Sequence, residues 1–387
     1  MFLQIALPER DRAFHKFVWK DSKSGEIRHF QFKVHCFGNR ASPAVSIFAI
    51  KHHAEKYRDL YPRAAETVLE STIVDDNCDS VESPEEALQL INDLKKLYAS
   101  AGMDIRKWAS NSKEVLDNVP KADQAADMAF SYEFEPGSDL PKIKALGVIW
   151  LAASDSFTFL AEFNLNQIWT KRTILSTYSK LFDPMGFISP VAITARIVTQ
   201  ACWRHDVGWD DPLPEKVLNV WQKWVDALKD LPKIRLKRCL RPLTGTVTEE
   251  EVHIFCDGST QAYGAVAYLK SILDDGSVYT NLIVSKARVA PIKVNTVNKL
   301  ELRAAVTAIT LSKFVQRVLK TPRSSIYFWT DSKNVLAWLH TKKWLTRFVT
   351  NRVTEIRSAS DLEAWRWGPL PRNLPSLPAP ILHTCCN

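Results

Sequence analysis

The clearest periodic signal lies in the last third of the chain. Short apolar runs over residues 252–256, 262–269 and 278–285 predict three strands, the first turn between them being Asp257-Gly258-Ser259. Leu302, Ala305, Val306, Ile309 and Phe314 fall at helical spacing and predict a long amphipathic helix over 298–319. Residues 325–330 predict a further strand that ends at Asp331, followed by the helical run 334–340. Three hairpin-like strands, a helix, a strand and a helix imply an α/β (α+β) unit, a mixed sheet with helices packed on it.

Upstream the pattern is less regular. Residues 68–74 (VLESTIV) are β-rich and predict a buried strand stopped by Asp75 and Asp76. Ser83-Pro84-Glu85-Glu86 then reads as a capping box with proline at the first helical position, and Leu88, Ile91, Leu94, Leu97 and Tyr98 continue a helix to Gly102. A short strand is expected near 103–108. Phe2, Leu3, Ile5 and Leu7 look like core that begins without a lead-in. Residues 110–142, with Pro120, Pro136, Gly137 and Pro141, read as a connector with little core, and 145–151 (ALGVIWL) as a buried strand. Helical spacing dominates 172–240. From Gly368 onward Pro369, Pro371, Pro375, Pro378 and Pro380 exclude helix or central strand, and the tail is expected to be disordered.

The chain has 387 residues, of which 46% are hydrophobic and 24% charged, a globular composition that excludes a disulfide-stapled miniprotein or a fibrous repeat. Lys and Arg number 51 against 43 Asp and Glu, a net charge of +8, which favours polyanionic partners. Seven scattered cysteines without a C-x-x-C pair suit a reducing, intracellular setting, cytoplasm or nucleus. Neither a signal peptide nor an apolar run of ~18 residues is visible, so no membrane span is expected.

Two acidic constellations carry candidate chemistry. Asp75 and Asp76 are adjacent carboxylates at a strand end, where mutual repulsion favours a bound cation such as magnesium. In an arbitrary sequence such a pair is more often a simple Asx turn. Asp257, Glu301 and Asp331 lie at two strand ends and in the first turns of a helix, from which they can converge on one point. Carboxylates so gathered can hold two divalent ions ~4 Å apart for phosphodiester hydrolysis. Each acid taken alone is more simply a turn or surface residue.

The surrounding motifs add a resemblance. MFLQIALPERDR, Phe37-Gly38-Asn39-Arg40-Ala41-Ser42-Pro43, the Val74-Asp75-Asp76 segment and Ile105-Arg106-Lys107-Trp108-Ala109-Ser110-Asn111 resemble, in order, the palm of reverse transcriptases of the Bel/Pao class of LTR retrotransposons. The resemblance implies that Asp75 and Asp76 hold two metal ions. Ile73 stands where the family's motif has tyrosine, and the family's third palm aspartate precedes the MFLQI segment at which this chain starts. Negligible polymerase activity is therefore expected.

The segments Phe255-Cys256-Asp257-Gly258-Ser259, Lys299-Leu300-Glu301-Leu302-Arg303-Ala304-Ala305 and Phe328-Trp329-Thr330-Asp331-Ser332 resemble retroelement ribonuclease H in order and spacing. That family has a fourth acid near its end, whereas residues 365–376 here contain no aspartate and Asp361 lies too early. Weakened or lost ribonuclease H activity is expected, as in a pseudogene-like element. Leu181-Phe182-Asp183-Pro184-Met185-Gly186-Phe187-Ile188-Ser189-Pro190 and Trp203-Arg204-His205-Asp206 are similar to the Bel/Pao region named a Pao retrotransposon peptidase. No Asp-Thr-Gly or Asp-Ser-Gly triplet supports protease chemistry, and His205-Asp206 reads as a turn.

Lys320, Arg323, Lys333, Lys342, Lys343, Arg347 and Arg352, interleaved with Trp338, Trp344 and Phe348, form a basic and aromatic stretch suited to duplex phosphates. The resulting expectation is a retrotransposon Pol fragment: a partial palm over 1–115, a thumb and connection over 116–245, a ribonuclease H-like domain over 250–367 and a tail over 368–387. Its partners would be RNA, DNA and RNA–DNA hybrid, and its cofactors Mg²⁺ or Mn²⁺, two ions per complete site. The alternative is a non-catalytic nucleic-acid-binding remnant or a host-adopted interaction protein.

Overall fold

The computed structural model describes residues 1–74, 76–125, 133–134, 140–145, 148–159, 163, 167–293 and 296–368. It divides into two compact units, Met1–Pro141 and Lys142–Asn387.

In the first unit a single helical turn, α1 (Glu9–Arg12), precedes a solvent-exposed antiparallel hairpin of β1 (Lys16–Lys20) and β2 (Ile27–Gln31). Of the N-terminal apolar residues expected in the core, Leu7 is buried but Leu3 is exposed. The core is made instead by α2 (Ser42–Lys56), α3 (Pro62–Glu70) and α4 (Pro84–Ser100), through Ile50, Ala54, Ala65, Val68, Leu94 and Leu97. Each of these helices has proline in its first turn, where no amide donor is missed. Ser83 caps α4 by accepting from Glu86 N at 3.2 Å, while the Glu86 carboxylate accepts from Glu82 N rather than from Ser83 N, so only half of the expected box forms. Gly102 follows the helix at φ +69°, the left-handed conformation that stops it.

Three expectations are corrected here. The strand expected over 68–74 does not form as one element: Pro62 starts α3, which runs on through residues 68–70, and Ala64, Ala65 and Val68 bury one helical face, which overrides the β-propensity at the start of VLESTIV. Only β3 (Thr72–Ile73) remains, paired with β4 (Asp76–Asn77). No strand forms over 103–108; Trp108 makes a lone bridge to Gln124. The connector contributes more core than expected, because α5 (Lys113–Asp117), capped by Ser112, buries Val115, and Val119 and Ala125 follow it inside. The strand β5 (Glu133–Phe134) completes this unit.

In the second unit the expected single strand over 145–151 is two: β6 (Pro141–Ala145) and β7 (Val148–Leu151) pair antiparallel, from Lys142↔Leu151 to Ala145↔Val148. β7 also pairs with β8 (Ser156–Thr158), which pairs with β9 (Leu236–Lys237). The helical middle segment is present as α6 (Lys171–Ser179), α7 (Ser189–Arg204) and α8 (Glu215–Ala227), packed around Trp221, Ile174, Ala195 and Cys202. His205 and Asp206 end α7 as a turn, Asp206 at φ +51°.

The principal sheet has the order β12-β11-β10-β13-β14, formed by β10 (Val247–Gly258), β11 (Ala262–Leu273), β12 (Val278–Val289), β13 (Ile326–Thr330) and β14 (Trp365–Trp367). β10, β11 and β12 are antiparallel; β13 is parallel to β10, and β14 to β13. The helices α9 (Val297–Leu319), α10 (Lys333–His340) and α11 (Arg347–Ala359) join Val252, Ile254 and Cys256 of β10 in one core. This is the expected mixed sheet, with α11 and β14 added to the elements legible in the sequence.

The edge strand β12 packs against α7. Gln200 Nε2 donates to Ala290 O at 2.7 Å. The Asp183-Pro184-Met185-Gly186 segment forms the seam: the Asp183 carboxylate accepts from Phe187 N and Ile188 N, both at 2.8 Å, Ser285 N donates to Met185 O at 2.9 Å, and Ser285 Oγ donates to Gly186 O. Of the proline-rich tail, residues 369–387 lie outside the described residues. No helix among the described residues is long and apolar enough to cross a membrane.

Candidate active site

The parallel pairing of β10 with β13 sets the geometry. Its register runs from Val252↔Ile326 to Phe255↔Trp329, and the same register carried two residues further brings Asp257 level with Asp331. Side chains two residues apart on a strand point to one face, so the two aspartates emerge side by side where adjacent strands end.

Gly258 lets α9 approach this strand end. A Cβ at Gly258 would lie 2.6 Å from Glu301 N and 2.6 Å from Leu300 C, so only glycine admits the helix backbone here. Leu300 and Leu302, both buried in the core, fix the rotation of α9 and leave Glu301 half-buried between them. Ser332, next to Asp331, donates from Oγ to Glu301 Oε2 at 2.6 Å. The three acids chosen from the sequence are therefore brought to one end of the sheet.

Burial, and after it mutual repulsion, raise the proton affinities of Glu301 and Asp331. Burial raises the Glu301 pKa, opposed by the Ser332 hydrogen bond and reinforced by the charges of Asp331 and Asp257. The Asp331 pKa is raised by desolvation and then by the charge of Asp257, although its side chain reaches solvent. Carboxylates that gain protons too readily also gain from a hard divalent cation, which takes oxygen ligands and replaces the missing positive charge. In donor chemistry the residues thus suit magnesium or manganese. As arranged, no three His, Cys, Asp or Glu side chains among the described residues close on a single ion point.

Of residues 365–376, where the resemblance places a fourth acid, only 365–368 are among the described residues. β14 pairs with β13 from Phe328↔Trp365 to Thr330↔Trp367, so Gly368 comes level with Asp331. Trp367 Nε1 donates to Asp331 O at 3.2 Å. Asp361 is engaged elsewhere, in an ion pair with Arg323 at 2.9 Å.

The residues of the basic stretch are spread over α9, α10, α11 and the segments between them. Arg323 is held by Asp361; Lys333 Nζ lies 5.4 Å from the centre of the Trp367 ring; Lys320 ends α9 at φ +54°. Lys342 and Lys343 are exposed between α10 and α11 beside the fully exposed Trp344, and Arg347 opens α11. Arg352 stacks over Phe348. Trp338 is half-buried against the core.

For the other acidic pair, Asp75 lies outside the described residues. Asp76 pairs with Ile73 across the β3–β4 hairpin and is exposed, as is half of Ile73, so the apolar setting expected around the pair is not found at Asp76. Val74 in the intervening turn has φ +58°, a rare conformation for a β-branched residue.

Sequence reasoning missed Gly258 as a spacing residue and Ser332 as a partner of Glu301. The signal for the second was available: Ser332 three residues before Val335 is an N-cap pattern, and Ser332 Oγ does accept from Val335 N at 3.2 Å.

Residues 170–332 match the family model described as the Pao retrotransposon-like RNaseH-like domain. The matched segment takes in α6 to α8 and the sheet through Ser332, and with it Asp257, Glu301 and Asp331. No curated protein matches the chain. Among solved structures, a foamy viral protease-reverse transcriptase in complex with dsDNA shares the fold, with a TM-score of 0.50 and 14% sequence identity over 95% of this chain. The present chain spans 66% of that chain's length, just under two thirds.

Proposed function

We propose that this chain, which carries a Pao retrotransposon-like RNaseH-like domain over residues 170–332, acts on RNA–DNA hybrid, and that its second unit retains a weakened ribonuclease H site. The observation that carries this reading is the register that sets Asp257 level with Asp331 on neighbouring parallel strands, with Glu301 beside them. Divalent ions held by these three acids would supply an activated water and stabilise the departing 3′ oxygen. Glu301, tethered by Ser332, keeps one carboxylate fixed at the edge of the site. Asp331 faces solvent, and its affinity for protons falls when a cation replaces them. The lack of an acid over residues 365–376 is the reason for weakened turnover. The domain organisation expected above, partial palm, connection and ribonuclease H-like domain, is part of the same proposal, as are an intracellular location and the roles of Asp75 and Asp76.

The test is hydrolysis of an end-labelled RNA–DNA hybrid in Mn²⁺. Slow cleavage of the RNA strand, abolished by Asp257→Asn, is expected. Cleavage indifferent to that substitution, or none at any Mn²⁺ concentration, rules out the catalytic reading. A second reading, nucleic-acid binding without catalysis, is favoured by the lack of a closed three-ligand set among the described residues. Calorimetric titration separates the two: the catalytic site takes up Mn²⁺ in the absence of nucleic acid, and the binding module does not.

A further inference from the structure

Three cations gather around one aromatic ring on the helical side of the sheet. Lys299 and Arg303 stand one turn apart on α9 and share a face, and Arg352 comes from α11. Measured to the centre of the Phe348 ring, Lys299 Nζ lies at 5.5 Å, the Arg303 guanidinium carbon at 5.5 Å and that of Arg352 at 3.6 Å. Arg303 also lies 6.0 Å from the ring of Tyr263. All three cations are half-buried, and among the described residues none forms an ion pair.

This arrangement is incomplete as it stands. Ring faces offset part of a cation's charge, but they do not satisfy the N–H groups in the guanidinium plane. Arg352 places one such group on Phe348 O at 2.9 Å. Arg303 Nε is buried and has no hydrogen-bond partner among the described residues. Partial burial and the neighbouring Arg303 charge lower the Arg352 pKa, with Glu355 opposing. A group of like charges, partly desolvated and with an orphaned donor, is what a multi-oxygen anion would complete, since planar guanidinium groups match phosphate oxygens.

Position identifies which anion. Tyr263 pairs with Gly258 across β10 and β11, one residue from Asp257, so the cations stand at the same end of the sheet as the acids. We propose that Lys299, Arg303 and Arg352 form a phosphodiester-binding site that grips a backbone phosphate of the nucleic acid reaching Asp257, Glu301 and Asp331. The inference rests on the nucleic-acid reading above and deepens it. Two of its residues, Lys299 and Arg303, lie outside the basic stretch recognised in the sequence.

The test measures binding of a fluorescent RNA–DNA hybrid to the full chain by anisotropy, in Ca²⁺ to prevent turnover, for the parent and for Lys299→Gln, Arg303→Gln and Arg352→Gln. Thermal melts confirm folding, and Lys299→Gln is the variant least able to disturb the core. The expected result is a roughly tenfold weaker complex for each variant, and a log–log salt slope shallower by about one for each phosphate that is no longer neutralised. A single neutral methylphosphonate in the hybrid should weaken the parent at one position and leave Arg303→Gln indifferent there. If the hybrid binds the parent and all three variants alike, with the same slope, the inference is overturned while the function proposed above stands. If the parent binds no hybrid, both fall; inorganic phosphate protecting the parent but not Arg303→Gln against thermal unfolding would then mark a site for free anion.

Discussion

Ser332 Oγ donates to Glu301 Oε2 across 2.6 Å, and the same hydroxyl oxygen accepts from Val335 N at 3.2 Å. One side chain thus starts α10 and holds an acid of α9. Ser332→Ala removes both roles. Loss of the cap is expected to cost ~1 kcal/mol of stability, read from urea denaturation. Loss of the hydrogen bond, which favours the ionised carboxylate, should also raise the Glu301 pKa further, visible in a carboxyl titration by NMR. An unchanged titration with a lowered stability would mean that the contact with Glu301 is incidental.

Asp331 titrates above the ordinary aspartate value of 3.8 in the folded chain. Between the unfolded and folded pKa values the native state binds more protons than the unfolded state, so stability falls as pH rises through that window. Asp331→Asn removes the penalty. The variant is expected to be more stable than the parent at pH 7, and the difference should close as pH falls below 3.8. Equal urea midpoints at pH 7 would contradict the repulsion described at the site.

Bound metal should reverse that order. A ligand that binds the native state stabilises it by mass action, so millimolar Mn²⁺ is expected to raise the melting temperature of the parent and to leave Asp331→Asn nearly unmoved. A rise of the same size in both proteins would place metal uptake away from these acids.

Gly258→Ala tests the close approach of α9. The added methyl meets backbone at Glu301 N and Leu300 C, both 2.6 Å away, and backbone cannot rotate aside. A loss of ~1–3 kcal/mol is expected, the usual range for overpacking, together with loss of any hybrid cleavage because Glu301 shifts with its helix. Full stability in the variant would show that α9 can slide without cost.

Gly186→Ala tests the seam between the middle helices and the sheet. Gly186 has φ +72°, and a Cβ there would overlap Ser285 O and C, so strain and overlap act together. Overpacking of ~1–3 kcal/mol, increased by the left-handed backbone conformation, is expected. Faster hydrogen exchange in β12 than in β10 would locate the damage; uniform exchange would argue that the seam adds little.

The sheet was legible because its strands and α9 each bury one face and so repeat at 2 or 3.6 residues, a pattern carried by residues such as Val252, Ile254 and Cys256 that a reader of the chain can see. Asp257, Glu301 and Asp331 were legible for a related reason: they stand at the ends of those periodic runs. The segment 68–74 was misread because VLESTIV satisfies β-propensity locally, while its helix depends on Ala64, Ala65 and Val68 meeting partners on α2 and α4. β14 was missed because its three residues are too few to show a period.

What the order of residues determined by itself was the set of elements and the acids at their ends, because periodicity and turn chemistry are local properties. Which acids meet, and which cations gather around Phe348, was decided only by the tertiary structure. Register between β10 and β13, the absence of a side chain at Gly258 and the docking of α11 on α9 join positions far apart in the chain, and no local pattern encodes a distance between them.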